Sequence, residues 1–205
     1  MTSQCWEIIT IDGARLGMLT LPLDAWLATR SPPIDMEKLS PWVNSACWRG
    51  YIGLWRLEDG RLWLDGITCD TLGSDDCPDS PPEIDMRPIF DGDPGPIECT
   101  WFTGKLRVPL EPELAHVHMG WMSTYRYERI IHIRQGKVVR ERHVDHTDRF
   151  LATYANLRWL LVETSHPDHQ IGLQGLTWLT DDGYALVAEH LGLPRIRPDE
   201  PGPDL

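Results

Sequence analysis

The stretch YIGLWRLEDGRLWLDGI at residues 51–67 indicates how this chain folds. Residues 51–57 and 61–67 are rich in aromatic and aliphatic side chains, and Glu58-Asp59-Gly60 joins the two runs. The joining residues favour a tight turn because Gly60 can adopt the positive φ that such a turn requires. The stretch therefore predicts two antiparallel strands connected as a hairpin.

Two further turn signals extend this pattern toward both ends of the chain. Asp12-Gly13 follows a β-rich run at residues 6–11, and Gln135-Gly136 separates strand-like runs at residues 125–134 and 137–144. Runs of this kind, bounded by such turns, are typical of hairpins. We therefore predict an α+β fold that is mainly β, with an antiparallel, hairpin-built sheet or small barrel, a short N-terminal helix and a C-terminal helical section.

Helical signals occur near the start and in the last third of the chain. Pro22 suits the first position of a short helix over residues 22–29. Beyond His146 apolar residues recur at helical spacing, at Phe150, Tyr154, Leu157 and Leu161. A further helix over residues 182–191 is predicted to end at Gly192. These signals predict a β-rich main domain at residues 1–146, a helical section at 147–196 packed on it, and a flexible tail at 197–205.

Residues 68–98 contain many aspartates and prolines, which predict long surface loops. Acidic loops with this spacing can bind calcium, but the twelve-residue pattern of an EF-hand is missing. A second acidic group follows at the start of the C-terminal helix. The acidic residues that we predict to contact a partner are Asp75, Asp76, Asp79, Asp91, Asp93, Asp181 and Asp182.

The charge balance bears on the kind of partner. The chain has 205 residues, and its 31 acidic and 19 basic side chains give a formal net charge of -12. A phosphate backbone would be repelled, so we predict no nucleic-acid partner. A protein with a basic surface would be attracted, although acidity also serves solubility alone. Ten tryptophans suit either a β-sheet core or a binding face.

Several features predict a cytoplasmic location and no membrane partner. The opening MTSQCWEIIT lacks the basic and apolar regions of a secretory signal, and no run approaches the length of a membrane span. The cysteines are odd in number, form no CxxC pair and are expected to be reduced thiols. They are Cys5, Cys47, Cys69, Cys77 and Cys99.

The pair His116 and His118 is the first candidate for chemistry. On a strand the two imidazoles would point to one face, where they could share a metal. Such a site needs at least one more ligand, which His132, His143 or a carboxylate could supply. The alternative is that all of these are ordinary sheet residues. We predict that the protein holds no metal and no cofactor.

A second possibility is a small cytoplasmic enzyme. Cys47 could act as a nucleophile if Arg49 lowered its pKa and His118 served as base. Signatures of serine hydrolases and of phosphate-binding loops are absent from the sequence. Four of the five cluster residues lie at strand ends beside glycines or turns and are predicted to converge on one side of the sheet. The residues of this candidate ligand cluster are Trp48, Arg49, Trp101, Arg107 and His118.

Three quoted pieces carry a resemblance to known proteins. ACWRGYIG at residues 46–53, WFTGKLRVP at 101–109 and VHMG at 117–120 resemble a loose family of uncharacterised bacterial β-rich proteins, over about residues 6–145. The resemblance implies a small β-rich cytoplasmic protein. Acidic members of such families look like immunity proteins encoded beside polymorphic toxins, an association rather than a mechanism.

Three classes of function therefore compete. The leading prediction is a non-enzymatic binding protein, most narrowly a bacterial immunity protein that neutralises a cognate toxin by occluding its active site. An inhibitor of this kind needs only a rigid surface with aromatic anchors and complementary charge. The alternatives are the small enzyme built on the ligand cluster and a structural scaffold without a small ligand.

Overall fold

A computed structural model describes residues 2–40, 44–69, 82–154 and 177–192. The described strands are β1 (Glu7–Ile11), β2 (Ala14–Met18), β3 (Ile52–Glu58), β4 (Arg61–Thr68), β5 (Ile97–Glu98), β6 (Gly104–Val117), β7 (Thr124–Arg134), β8 (Lys137–Asp145) and β9 (Thr177–Leu179). The described helices are α1 (Pro22–Leu27), α2 (Met36–Leu39), α3 (Thr147–Tyr154) and α4 (Asp181–Leu191). The predicted mainly β, α+β fold with helices near both ends is confirmed.

The chain packs as two compact units that are not contiguous in sequence. We call residues 4–109 and 129–143 the hairpin unit, and residues 1–3, 110–128 and 144–205 the helical unit. Strands β6, β7 and β8 each contribute residues to both units. These bounds differ from the predicted division after residue 146, which stays a prediction.

The hairpin unit is built from the three predicted hairpins. Its strands follow the order β2-β1-β3-β4-β8-β7-β6, with β5 paired to β4. The sheet is mixed rather than wholly antiparallel, because β1 and β3 run parallel and place Ile8 opposite Leu54. A parallel pair needs a long crossover connection, and the segment between β2 and β3, which contains α1 and α2, supplies one.

The prediction that residues 68–98 are surface loops is wrong for part of the stretch. Ile84, Met86, Ile89 and Phe90 are buried, so this segment contributes to the hydrophobic core. Full burial of such a side chain stabilises a fold by about 1.5–3 kcal/mol. The apolar side chains lie between acidic ones that remain exposed, which explains why composition alone indicated a solvated loop.

The helical unit contains α4, whose two ends are both capped. Thr180 accepts a hydrogen bond from the N–H of Gly183 at 3.2 Å and so caps the helix, while Gly192 ends it in a left-handed conformation (φ +67°). The helix predicted over residues 182–191 is thereby confirmed. Among the described residues of this unit, one buried hydrophobic cluster comprises Leu114, Ala115, Phe150, Leu179 and Val187.

Helix α3 carries the first part of the predicted apolar spacing, with Phe150 buried and packed against Tyr154. The predicted continuation through Leu157 and Leu161, and the predicted tail, lie outside the described residues. Among the helices that the structure describes, none combines the length and the apolar character that crossing a membrane demands.

Candidate functional site

A short loop at residues 44–50, which we call the Trp48 loop, precedes β3 and is held by its own turn contacts. The Asn44 side-chain oxygen accepts hydrogen bonds from the N–H groups of Ala46 (2.8 Å) and Cys47 (2.9 Å). Gly50 donates to the carbonyl of Cys47 at 3.0 Å and has φ +73°, a conformation that favours glycine. The loop is therefore locally constrained.

The segment just before β1 forms hydrogen bonds with the same loop. The buried side chain of Gln4 donates to the carbonyl of Ser45 (2.9 Å) and accepts from the N–H of Trp48 (3.1 Å). Cys5 donates its N–H to the carbonyl of Ala46 at 2.7 Å. These contacts join parts of the chain some forty residues apart in sequence and fix the backbone at Trp48.

A buried ion pair anchors the far side of the loop. Arg49 contacts one carboxylate oxygen of Glu7 through Nε (2.9 Å) and a terminal nitrogen (2.7 Å), and it also donates to the carbonyl of Cys5 (3.1 Å). The other oxygen of Glu7 accepts from the N–H of Gly53 and the indole of Trp55, both at 2.8 Å. The Glu7 side chain is 0% exposed and that of Arg49 is 9% exposed.

Burial and hydrogen bonding act on Glu7 in opposite directions. Desolvation raises the pKa of Glu7 to about 7, and the attraction of Arg49 together with the donors Trp55 and Gly53 limits that rise. The Arg49 guanidinium also lies 5.4 Å from the ring centre of Tyr51, whose hydroxyl donates to Asp24. The pair therefore belongs to a buried polar network.

Gly53 is required by this network. A side-chain carbon at this position would overlap the Glu7 carboxylate and the Trp55 indole nitrogen, and it would lie 2.7 Å from Trp55 Cε2. In the ACWRGYIG stretch, Cys47 and Tyr51 are buried and Arg49 is paired, but the Trp48 side chain projects into solvent. Trp48 is 55% exposed, so a rigid loop presents an indole ring to solvent.

The other members of the predicted ligand cluster have different surroundings. Trp101 packs at a tilt against Trp26 and Phe90, with ring centres 5.0 and 5.6 Å away, and donates its indole N–H to the carbonyl of Pro22 (3.1 Å). Arg107 is exposed on β6, where its backbone N–H donates to Thr20 Oγ1 at 2.9 Å. His118 belongs to the helical unit, whereas the rest belong to the hairpin unit. The predicted convergence of the cluster with His118 stays a prediction.

The predicted acidic contact residues fall into three groups. Asp91 and Asp93 are exposed, and Asp91 pairs with Arg30. Asp181 and Asp182 are exposed in the first turn of α4, where carboxylates also stabilise the helix dipole. The third group, Asp75, Asp76 and Asp79, lies outside the described residues.

The candidate metal ligands are divided between the two units. His116 and His118 belong to the helical unit, and His132 and His143 to the hairpin unit. His116 lies 3.0 Å from the carboxylate of Glu113. The part of the chain that the structure describes contains no group of three or more metal-ligating side chains suited to an ion. The absence of a metal stays a prediction, which elemental analysis of protein purified without chelator tests directly.

Cys47 is poorly placed for nucleophilic chemistry. Its side chain is 0% exposed, and its Sγ donates to the carbonyl of Tyr51 at 3.3 Å. A substrate would have to enter the core to reach it. The structure therefore favours a packing role for this thiol.

Comparison with family models, with curated proteins and with solved structures gave no match for this chain. Sequence reasoning missed Glu7, although a signal was present: it alternates with Ile9 and Ile11 on the face of β1 that the structure buries. A carboxylate on a core face implies a buried partner, which Arg49 turns out to be.

Proposed function

We propose that this protein is a non-enzymatic binding protein whose partner contact is centred on Trp48. The observation that carries the proposal is an exposed indole on a loop held by Gln4, Cys5 and the Glu7–Arg49 pair. More narrowly, we propose a bacterial immunity protein that binds a toxin with a basic surface and occludes its active site.

The rigidity of the loop supports a binding role because ordering a flexible side chain or loop on association lowers affinity. Tryptophan is enriched among the residues that dominate binding energy, since its ring buries a large area and its N–H still finds a partner. Here the backbone on both sides of Trp48 is fixed before any partner arrives. Little free energy is therefore lost in ordering the loop on binding, and burial of the indole contributes almost fully to affinity.

The contacts of the cluster residues favour binding over the alternative enzyme. A catalytic guanidinium needs free donors directed at a substrate, whereas Arg49 directs its donors at Glu7 and Cys5. Trp101 faces Trp26 and Phe90 within its aromatic cluster. The contacts of Arg49 therefore support the loop that carries Trp48, whereas Trp101 packs elsewhere.

The charge of the chain supports a basic partner. A formal net charge of -12 attracts a positively charged protein over a distance of about 10 Å at 0.1 M salt. Charges of this kind accelerate association more than they strengthen the final complex. The acidic residues are therefore expected to raise the association rate, whereas Trp48 is expected to lower the dissociation rate.

Replacing Trp48 with alanine is expected to weaken toxin binding by about 2 kcal/mol, or roughly 30-fold in Kd, mainly through faster dissociation. The measurement is surface plasmon resonance with the product of an adjacent gene that ends in a basic domain, combined with survival of cells that express it. Met122→Ala is the matched control, because Met122 is similarly exposed at 58% and should leave affinity unchanged. Unchanged affinity and protection in folded Trp48→Ala protein would contradict the proposal.

Association is expected to slow markedly as ionic strength rises from about 0.05 to about 0.5 M, because salt screens exposed charges. Changing Asp75, Asp76 and Asp79 together to lysine should lower the association rate more than it raises the dissociation rate. Stopped-flow fluorescence can follow both rates. An association rate that is independent of salt would show that acidity does not steer the partner.

Changing His118 to alanine separates occlusion from catalysis. A protein that protects by binding should retain both toxin affinity and protection in this variant. Loss of protection with normal folding and undiminished toxin binding would show that the protein acts as an enzyme on its partner.

A further inference from the structure

Within the described part of the hairpin unit, the outer edge of β8 is open along most of its length. Strands β4 and β8 are antiparallel and pair only where both begin, at Arg61 and Lys137. The N–H of Val138 donates to the carbonyl of Gly60 at 2.8 Å, and beyond this contact β8 runs past the turn of the β3–β4 hairpin. Among the described residues no further strand pairs with this edge.

The direction of the backbone groups along this edge follows from one contact. Because Val138 donates outward to Gly60, alternation along the strand directs the N–H groups of Arg140 and Arg142 outward as well. Residues 139–143 are all exposed. The edge therefore offers a row of backbone donors and acceptors to an incoming strand.

The face of the sheet beside this edge is positively charged, in contrast to the chain as a whole. Desolvation lowers the pKa of His132 on β7, and the positive charges of Lys105 on β6 and of Arg140 and Arg142 on β8 lower it further. No ion pair engages Lys105, Arg140 or Arg142 within the described part of the chain. The carboxylate between the two arginines, Glu141, is paired with Arg129 at 2.6 Å.

We propose that the β8 edge is a docking site for an extended acidic segment of a partner protein, which adds to the sheet as a further strand. Main-chain hydrogen bonds from Arg140 and Arg142 would provide affinity, and their guanidinium groups would select acidic side chains at alternate positions. The other face of the added strand would meet Val139, an apolar side chain that is 55% exposed, so an apolar residue is favoured there. This inference goes beyond the proposed function because it concerns a different surface and a partner of opposite charge.

The surroundings favour a peptide over a nucleic acid. Proteins that bind single strands use aromatic side chains on which bases stack. The exposed large apolar side chains of the described residues are Trp6, Trp48, Met122, Tyr127 and Val139. Of these only Val139 lies on β8, and Tyr127 lies on the part of β7 that belongs to the helical unit.

The test uses the full chain and a labelled synthetic peptide in which glutamate alternates with valine, flanked by threonines. We expect saturable binding by fluorescence anisotropy, and loss of binding when alternate amides of the peptide are N-methylated, because methylation removes main-chain hydrogen bonds and keeps the charge. Changing Arg140 and Arg142 together to glutamate should weaken binding by about tenfold or more. Lys38 and Arg87 changed together to glutamate provide the control for net charge, and affinity should then change by less than about threefold.

A second comparison isolates the backbone donor. Arg140→Pro removes an outward N–H as well as the charge, whereas Arg140→Gln removes the charge alone. The proline variant should bind the peptide more weakly than the glutamine variant, with thermal unfolding of both recorded to confirm that they fold. Equal affinity of the two folded variants would overturn the proposal.

Three other results would also overturn it: no peptide binding, equal binding of the N-methylated peptide, or equal binding of a single-stranded oligonucleotide of the same charge. Trp48→Ala should leave peptide affinity unchanged. Failure of toxin binding therefore leaves this test intact, and failure of peptide binding leaves the toxin proposal intact.

Discussion

Arg49→Met is expected to lower the free energy of unfolding by about 3–5 kcal/mol near pH 8, the range found when one partner of a buried ion pair is removed. The variant leaves Glu7, which is 0% exposed, without its positive neighbour. Urea-induced unfolding followed by tryptophan fluorescence measures the effect. The exposed pair of Arg56 and Asp65 provides the control, since Arg56→Met should change stability by only about 0–1 kcal/mol.

The loss should depend on pH in a defined direction. In the wild-type protein the pKa of Glu7 is raised from 4.5 to about 7, so its contribution to stability is fully present below about pH 4.5 and declines as pH rises through 7. Without Arg49 the pKa of Glu7 rises further, because the largest influence that lowers it is gone. The variant should therefore be penalised more near pH 8 than near pH 5.

A double substitution tests whether the two side chains act as a pair. Glu7→Gln combined with Arg49→Met removes both charges, so near pH 8 it should be more stable than Arg49→Met alone. A loss below about 1 kcal/mol in Arg49→Met, or a loss that does not vary with pH, would contradict the structural role assigned to the pair.

Gly183→Ala is expected to destabilise the helical unit by about 3 kcal/mol, although alanine is about 1 kcal/mol better than glycine within a helix. Gly183 is buried in α4, and a side-chain carbon there would overlap the carbonyl oxygen of Leu114 and lie 2.9 Å from its carbonyl carbon. It would also lie 3.2 Å from Phe150. The backbone of β6 cannot easily yield, so α4 must move.

Hydrogen exchange locates this effect. Amides of α4 and β9 should lose protection in Gly183→Ala, while those of β3 and β4 should keep it. Gly66→Ala is the steric control, because its new carbon would meet Leu54 at an ordinary 3.7 Å. Equal or increased stability of Gly183→Ala would show that helix propensity outweighs the contact with Leu114.

Local patterns were enough to predict most elements. The turns at Asp59-Gly60 and Gln135-Gly136, and the end of α4 at Gly192, depend on neighbouring residues only, so they were readable in sequence. Long-range pairing was not readable. Nothing near β1 specifies that it runs parallel to β3, since that arrangement depends on how the connection between the hairpins packs.

In the candidate site, too, local features were readable in the sequence and long-range contacts were not. The sequence placed Trp48 and Arg49 in one candidate ligand cluster with Trp101, which packs elsewhere with Trp26 and Phe90. The partner of Arg49 is Glu7, 42 residues earlier in the chain, and a pairing at that distance leaves no local pattern. The buried role of residues 84–90 was hidden for a similar reason, because acidic neighbours masked the apolar side chains.

By itself the sequence determined the mainly β class, the hairpins, the short helix near the start, the capped helix α4 and the acidic charge, because turn chemistry, side-chain periodicity and composition act over a few residues. Only the tertiary structure decided that Trp48 is exposed while the side chain of the adjacent Arg49 is largely buried. It placed Arg49 against Glu7, left Trp48 in solvent and, among the residues described, left most of the outer edge of β8 without a paired strand. The physical reason is that burial and strand pairing depend on chain segments that meet only after folding.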